Sequence, residues 1–227
     1  VPVYRSTLAA LLEGAVQPLR DVEIRDLTLD SRSVTPGTAF LACQGRTTHG
    51  VAHAAAAVER GAIAVLWEPA PGVVAPPLPA HIAVHAVPNL ALRAGDMADR
   101  FFARPSLALR VAGFTGTNGK TTSAYLLAQA ADLVGRRGAY LGTLGFGRPG
   151  ALKGAGLTTP DCVSVHRRLA EARDAGAKTL GDAAHSVGAE QSSHGHNLSQ
   201  TVVSEPTAAR GVRAAAELIS ERDPAHV

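Results

Sequence analysis

The chain has 227 residues and a net charge of +3, and 46% of its residues are hydrophobic, 18% charged and 4% aromatic. This composition is typical of a globular protein whose cores are built from Ala, Val and Leu, and it excludes a chain that is disordered throughout. The basic residues are scattered, which excludes a nucleic-acid-binding surface, and no segment approaches the roughly 20 apolar residues that span a membrane.

The two cysteines, Cys43 and Cys162, lie in separate segments without the CxxC spacing of a metal site. They are predicted to be free, buried thiols rather than part of a disulfide scaffold. The N-terminus lacks the charged-then-apolar order of a signal peptide, so we expect a cytoplasmic protein. The chain is also expected to be monomeric.

Residues 1–88 are predicted to form one small α/β domain, because strands and helices alternate along them. The spacing of Leu8, Leu11 and Leu12 predicts a short helix within residues 1–20, and the sequence predicts no regular element in the proline-rich residues 69–79. The other predicted elements are strands at residues 22–29, 38–43, 62–67 and 81–87 and a helix at residues 51–60. A helix at residues 90–102, within a connecting segment of residues 89–106, is expected to lead into the next domain.

The pattern restarts in residues 107–227, which are predicted to form a second, partial α/β domain. Its predicted elements are strands at residues 109–114 and 139–146 and helices at residues 121–134, 163–175 and 208–220. Residues 178–205 mix Gly, His, Ser, Asn and Gln, and no core strand is predicted there. Three histidines in that stretch, His185, His194 and His196, are irregularly spaced and are interpreted as loop residues rather than metal ligands.

A glycine loop between the first strand and the first helix of this second domain predicts a phosphate site. It reads Gly116-Thr117-Asn118-Gly119-Lys120-Thr121-Thr122. Such a loop directs backbone N–H groups into one concavity at the positive end of a helix. Lys120 is placed to contact the β- and γ-phosphates of ATP, and the Thr121 hydroxyl is placed to reach Mg²⁺. The loop is a variant of GxxxxGK[ST], because Phe114 stands where the first glycine belongs.

That variant, Thr-Gly-Thr-Asn-Gly-Lys-Thr-Thr at residues 115–122, resembles the ATP loop of the Mur ligase family. The segment around Asp30-Ser31-Arg32 resembles the family's first domain, and Leu157-Thr158-Thr159-Pro160-Asp161 resembles the members that add the third amino acid. The resemblance implies an ATP-dependent ligase that joins an amino acid to a UDP-muramyl peptide through an acyl phosphate. It also implies a small N-terminal UDP-binding domain followed by a P-loop central domain.

The resemblance assigns roles to individual residues. For ATP it implies the seven residues of the glycine loop, Gly116 to Thr122. For the UDP-muramyl peptide it implies Leu29, Ser31, Arg46, Thr47, Thr48, Thr158, Thr159 and Ser192. For catalysis it implies Lys120 and Glu190, and for Mg²⁺ it implies Thr121 and Glu190, since Glu190-Gln191-Ser192-Ser193-His194 resembles the family's Glu-Val-Ser-Ser-His.

The C-terminal third departs from the family pattern. Asn197-Leu198-Ser199-Gln200 is at most a remnant of the segment expected after His194, and no lysine follows Lys178 to fill the role of the family's carbamoylated lysine. The family's third domain, which binds the amino acid, is not expected within these 227 residues. Truncation, a frameshift and a sequence error all stay open, and the chain is expected to be inactive alone. Two alternatives remain: a non-catalytic remnant that binds nucleotide or UDP-sugar, and a generic P-loop NTPase.

Overall fold

The structure is a computed structural model. It describes residues 4–13, 15–18, 20–45, 47–115, 118–154 and 160–183, together with the backbone of residues 200–204. Contacts between Cα atoms divide the chain into two units. The first unit comprises Val1–Arg104 and Asp161–Arg167, and the second comprises Pro105–Pro160 and Arg168–Val227. Both units have α/β architecture, as predicted.

The first unit is built on a four-stranded, fully parallel sheet in the order β3-β4-β5-β6. Its strands are β3 (Asp26–Thr28), β4 (Thr38–Ala42), β5 (Ala62–Trp67) and β6 (Ala83–Ala86). A separate antiparallel pair joins β1 (Ser6–Thr7) to β2 (Glu23–Ile24). The helices are α1 (Leu8–Leu11), α2 (Ala54–Glu59) and α3 (Leu90–Phe101).

The core of the first unit lies between the sheet and α2. Every residue of β4 is buried, which fits a strand with a parallel neighbour on each side. The core cluster consists of Val34, Phe40, Ala42, Ala54, Ala57, Ala62, Val65 and Ile82. Because α2 presents alanines to the sheet, its backbone can approach the strands closely.

The second unit contains a five-stranded sheet in the order β11-β7-β10-β8-β9. Its strands are β7 (Arg110–Thr115), β8 (Gly138–Gly142), β9 (Gly145–Gly147), β10 (Thr179–Asp182) and β11 (Gln200–Ser204). Four of them run parallel, and β9 turns back antiparallel against β8. Helix α4 (Lys120–Leu133) packs on one face of this sheet. Helix α5 (Cys162–Asp174) has its first residues, up to Arg167, in the first unit and the rest in the second, and the carboxylate of the preceding Asp161 accepts from the Ser164 N–H.

Strand β10 corrects the prediction that residues 178–205 contain no core strand. It lies between β7 and β8, at the centre of the sheet. Its only large apolar residue is Leu180, and a Cβ on Gly181 would collide with the backbone oxygen of Ala124 in α4. The close approach of the helix therefore demands a glycine in the strand, and that glycine removes the apolar pattern from which a strand is predicted.

Other predictions differ from the structure in their extent. The helix expected within residues 1–20 is a single turn, the strand at residues 22–29 is interrupted at Arg25, and the strand at residues 139–146 is the β8–β9 hairpin. Cys43 and Cys162 are free, as predicted, but the prediction that they are buried is wrong, because each is partly exposed. The helix predicted at residues 208–220 lies outside the described residues. Within the described residues no helix has the length and apolarity to cross a membrane.

Candidate nucleotide-binding site

The glycine loop joins a buried strand to the start of a long helix. Strand β7 ends at Thr115, and α4 begins at Lys120. Gly119 precedes the helix with a φ of 81°, a left-handed conformation that glycine adopts without a steric penalty. It supplies no side-chain cap, and the N–H groups of the first turn of α4 lie at the positive end of the helix dipole, where an anion is stabilised.

The predicted loop residues differ in their access to solvent. Asn118 and Thr122 are exposed, while Gly119, Lys120 and Thr121 are partly buried. The Thr121 hydroxyl oxygen lies 3.2 Å from the hydroxyl oxygen of Thr143, a residue that the sequence did not single out. Gly116 and Thr117 lie outside the described residues. The arrangement offers backbone N–H groups, an ammonium group and a hydroxyl at one helix N-terminus, which is suited to a phosphate with a divalent cation.

Helix α4 is anchored by its apolar face. Ala124, Leu127 and Ala128 are fully buried against the sheet, and they share a core cluster with Ala112 and Phe114 of β7. Strand and helix are thereby packed against each other on both sides of the loop. This packing holds the start of α4 on a rigid base, as a preorganised phosphate site would require.

Strand β10 ends in a carboxylate beside the strand that leads into the loop. Asp182 pairs with Gly113 of β7 and Leu141 of β8, and burial raises the pKa of its carboxyl group to about 6. Its neighbours Gly181 and Ala183 both pack toward α4, so the alternation of the strand puts Asp182 on the opposite face of the sheet. Asp182 is therefore not a partner of Thr121 in this structure.

The other residues predicted for this domain are Glu190, for catalysis and Mg²⁺, and Thr158, Thr159 and Ser192, for the muramyl peptide. Glu190, Ser192, Thr158 and Thr159 lie outside the described residues, as do the histidines of the same stretch. Within the part of the chain that is described, no group of three or more His, Cys, Asp or Glu side chains could hold a metal ion.

The residues predicted to contact UDP lie in the first unit, after the ends of two neighbouring parallel strands. Leu29 and Ser31 follow β3, and Thr47 and Thr48 follow β4. Loops at the carboxyl ends of parallel strands are the usual ligand-binding edge of an α/β sheet. Thr47 and Thr48 are exposed, Leu29 and Ser31 are partly buried, and Arg46 lies outside the described residues.

Each of the two loops is held in place by local hydrogen bonds. Ser31 opens a 3-10 turn in which the Asp30 carboxylate accepts from the Arg32 N–H, and the Arg32 guanidinium lowers the pKa of Asp30. His49 closes the second loop, because its Nδ1 accepts from the Val51 N–H at 3.1 Å. Its Nε2 therefore carries the proton and donates to the Glu68 carbonyl oxygen at 3.0 Å. His49 had no signal in the sequence.

Comparison with known families gives two matches. The model described as "Mur ligase family, catalytic domain" matches residues 23–101, and the one described as "Mur ligase middle domain" matches residues 114–209. The first match contains the candidate UDP loops. The second contains the whole glycine loop, including Lys120 and Thr121.

Curated relatives at 45–47% identity carry the name UDP-N-acetylmuramoyl-L-alanyl-D-glutamate--2,6-diaminopimelate ligase. The protein from Xanthomonas campestris pv. campestris is 47% identical over 161 residues, which are 71% of this chain and 32% of that protein. The protein from Pseudomonas aeruginosa is 45% identical over 179 residues, 79% of this chain and 35% of that protein. The chain therefore spans about a third of the length of these relatives.

Two solved structures are similar in fold. A structure of a ligase with the same name aligns with a TM-score of 0.58 at 25% identity, covering 86% of this chain and 40% of that chain. The D-alanyl-D-alanyl ligase MurF from Acinetobacter baumannii aligns with a TM-score of 0.54 at 23% identity, covering 82% of this chain and 37% of that chain. The second likeness shows a common fold alone.

Proposed function

Since the chain belongs to the Mur ligase family, we propose that it is the first domain and the ATP-binding part of an amide-forming ligase. The reaction proposed is the addition of 2,6-diaminopimelate to UDP-N-acetylmuramoyl-L-alanyl-D-glutamate in cell-wall precursor synthesis, which is the activity named for the relatives. The observation that carries the proposal is the helix α4, which begins with Lys120 and Thr121 directly after Gly119, a left-handed residue without a side chain.

The chemistry implied by the family has two steps. A carboxylate oxygen of the D-glutamyl residue attacks the γ-phosphorus of ATP, ADP leaves, and an acyl phosphate forms. The amine of the incoming amino acid then attacks the acyl carbon, inorganic phosphate leaves, and an amide bond forms. Lys120 is proposed to offset the negative charge on the transferred phosphoryl oxygens, while the N–H groups at the start of α4 hold the phosphates in position.

The residues present fit Mg²⁺, because it prefers oxygen ligands and the Thr121 hydroxyl offers one in the first turn of α4. When bound, the ion neutralises charge on the phosphate oxygens. Glu190 is proposed as a further ligand on the basis of its resemblance to the family's Glu-Val-Ser-Ser-His. Gly116, Thr117, Asn118, Gly119 and Thr122 are proposed to complete the ATP site.

The UDP-muramyl end of the substrate is proposed to bind the first unit. Leu29 and Ser31 would contact the uridine, and the loop of Arg46, Thr47 and Thr48 would lie beside the diphosphate. The exposed hydroxyls of that loop support this, because small hydroxyls and backbone donors suit a diphosphate and a sugar. Thr158, Thr159 and Ser192 are proposed to contact the muramyl peptide.

A second candidate is a non-catalytic protein that binds nucleotide or UDP-sugar. It is favoured by one observation in the sequence: the only lysines are Lys120, Lys153 and Lys178, so none stands in the C-terminal part, where the family uses a carbamoylated lysine. Both candidates use the same ATP site. They differ in whether the protein catalyses amide formation.

Nucleotide binding by the full chain tests the proposal. Calorimetry with ATP and Mg²⁺ should show saturable binding, and Lys120→Ala should weaken the affinity for ATP at least tenfold. Lys178→Ala is the matched control, since Lys178 forms hydrogen bonds with Arg110 and Arg137 through its backbone, which the substitution keeps. A Lys120→Ala protein that binds ATP as tightly as the control would contradict the proposed site. The proposed UDP site is tested in the same way, by titrating UDP into the unsubstituted chain and into the Ser31→Ala variant.

A further inference from the structure

Thr143 lies at the start of the glycine-loop helix although it is distant in sequence. It follows strand β8 in the turn that leads into β9, and its Oγ1 is 3.2 Å from the Oγ1 of Thr121. Thr121 is the second residue of α4, directly after Lys120. The contact therefore joins the hydroxyl proposed to reach Mg²⁺ to a second hydroxyl in the turn between two strands of the same unit.

The turn that carries Thr143 is itself anchored. The Leu144 N–H donates to the Tyr140 hydroxyl at 3.4 Å, and the Tyr140 side chain is fully buried. The Tyr140 ring packs edge-on against Tyr125 of α4, with ring centroids 5.6 Å apart. Strand, turn and helix are thus connected through the unit's core, and the distance between Thr121 and Thr143 follows from that packing.

A hydroxyl that coordinates a cation uses a lone pair of its oxygen, and its single proton must then be donated elsewhere. A threonine side chain has more than one staggered χ1 rotamer, so the groups around its hydroxyl decide where the oxygen points. A nearby acceptor that takes the proton selects the rotamer in which the oxygen faces the ligand. Thr143 Oγ1 is at hydrogen-bonding distance and has two lone pairs, so it can be that acceptor.

We propose that Thr143 is a positioning residue for the nucleotide site: it accepts the proton of the Thr121 hydroxyl and so turns the Thr121 oxygen toward the Mg²⁺ that accompanies ATP. The inference rests on the proposed function and deepens it. It assigns Thr143 no contact with the nucleotide. Thr143 acts only through Thr121, and its effect is confined to the Mg²⁺-dependent part of nucleotide binding.

The test is nucleotide binding to the full chain, measured with a fluorescent ATP analogue across a Mg²⁺ titration and again in EDTA. Thr143→Val keeps the shape of the side chain and removes the acceptor. It should raise the Mg²⁺ concentration needed for half-maximal binding by about three- to tenfold, the range expected for the loss of one hydrogen bond. Binding in EDTA should be unchanged. Thr143→Ser keeps the hydroxyl and should restore the Mg²⁺ dependence of the unsubstituted chain.

A double-mutant cycle separates positioning from a general structural role. In a Thr121→Val background, Thr143→Val should cause no further change, because the hydroxyl it positions is gone. An unchanged Mg²⁺ dependence in Thr143→Val, or an additive loss in the double variant, overturns the inference while the proposed function stands. If the unsubstituted chain binds no nucleotide with or without Mg²⁺, the proposed function and the inference fall together.

Discussion

The Arg167 guanidinium donates from Nη2 to Asp26 Oδ1 at 2.7 Å. The same nitrogen also donates to the Leu27 carbonyl oxygen at 2.9 Å, and the guanidinium lies 5.1 Å from the centre of the Phe102 ring. All four residues belong to the first unit. Arg167 of α5 thereby fixes the short strand β3, which leads directly into the candidate UDP residues Leu29 and Ser31.

Arg167→Ala should lower the free energy of unfolding of the first unit by about 1–3 kcal/mol, since it removes charge-assisted hydrogen bonds and a cation–π contact together. The free energy of unfolding of Arg167→Lys should lie between those of Arg167→Ala and the unsubstituted chain, because a lysine keeps the charge but cannot reproduce the planar, stacked geometry. Urea unfolding followed by the fluorescence of Trp67 measures this, since Trp67 is the chain's single tryptophan and lies in β5 of the same unit.

Arg5→Ala is the control for that experiment. Arg5 pairs with Glu23 at 3.2 Å in the same unit, but both side chains are about half exposed. Solvent screens such a pair, so its removal should leave the urea midpoint unchanged. Equal shifts of the urea midpoint in the Arg5 and Arg167 variants would show that the partly buried contacts of Arg167 stabilise the unit no more than an exposed ion pair does.

A second prediction concerns the pH dependence of the chain's stability, to which Asp182 contributes. Burial raises the pKa of its carboxyl group from 3.8 to about 6. Below pH 3.8 the carboxyl is protonated in both states. As the pH rises toward 6, the Asp182 carboxyl loses its proton in the unfolded chain but keeps it in the folded chain. The free energy of unfolding therefore falls over this range. Above pH 6 the destabilisation by Asp182 no longer changes with pH.

Asp182→Asn removes the cost of ionising this buried carboxyl. It should raise the free energy of unfolding at pH 7.5 by on the order of 2 kcal/mol, with little difference at pH 4. Circular dichroism during urea unfolding at several pH values is the measurement. Asp96→Asn, at an exposed position in α3, should parallel the unsubstituted protein at every pH. A larger difference between Asp182→Asn and the unsubstituted chain at pH 4 than at pH 7.5 would reverse the sign argued here.

A third prediction follows from the close approach of α4 to β10. Gly181→Ala should lower the free energy of unfolding by about 1–3 kcal/mol, because the added Cβ meets backbone atoms of Ala124 that cannot move aside like a side chain. Gly113→Ala, on the adjacent strand β7, is the matched control, since a Cβ there meets no atom within 4 Å. The measurement is the thermal unfolding of Gly181→Ala and of Gly113→Ala, each compared with the unsubstituted chain. Equal losses would show that backbone freedom, rather than the helix contact, explains the glycine in β10.

The same residues explain what could be predicted from the sequence. The glycine loop was identifiable because its chemistry requires consecutive residues of fixed type, and α4 begins within one residue of the predicted start. Strand β10 was missed because packing against α4 selects Gly181, which weakens the apolar pattern. The contacts of Arg167 with Asp26 and of Thr143 with Thr121 join residues 141 and 22 positions apart, and no local pattern encodes such pairs.

The last prediction is that the 227-residue polypeptide, assayed alone, binds ATP and does not ligate. Its chain spans 32% of the length of the Xanthomonas campestris relative, and it has no lysine beyond Lys178. Phosphoryl transfer needs an accurately held acceptor, and a misplacement of ~1 Å can cost about a hundredfold in rate. Incorporation of radiolabelled diaminopimelate into UDP-N-acetylmuramoyl-L-alanyl-D-glutamate, with ATP and Mg²⁺, should equal the buffer blank, while the full-length Pseudomonas aeruginosa relative serves as the positive control. Product that forms with this chain and disappears in Lys120→Ala would show that the polypeptide contains a complete catalytic site.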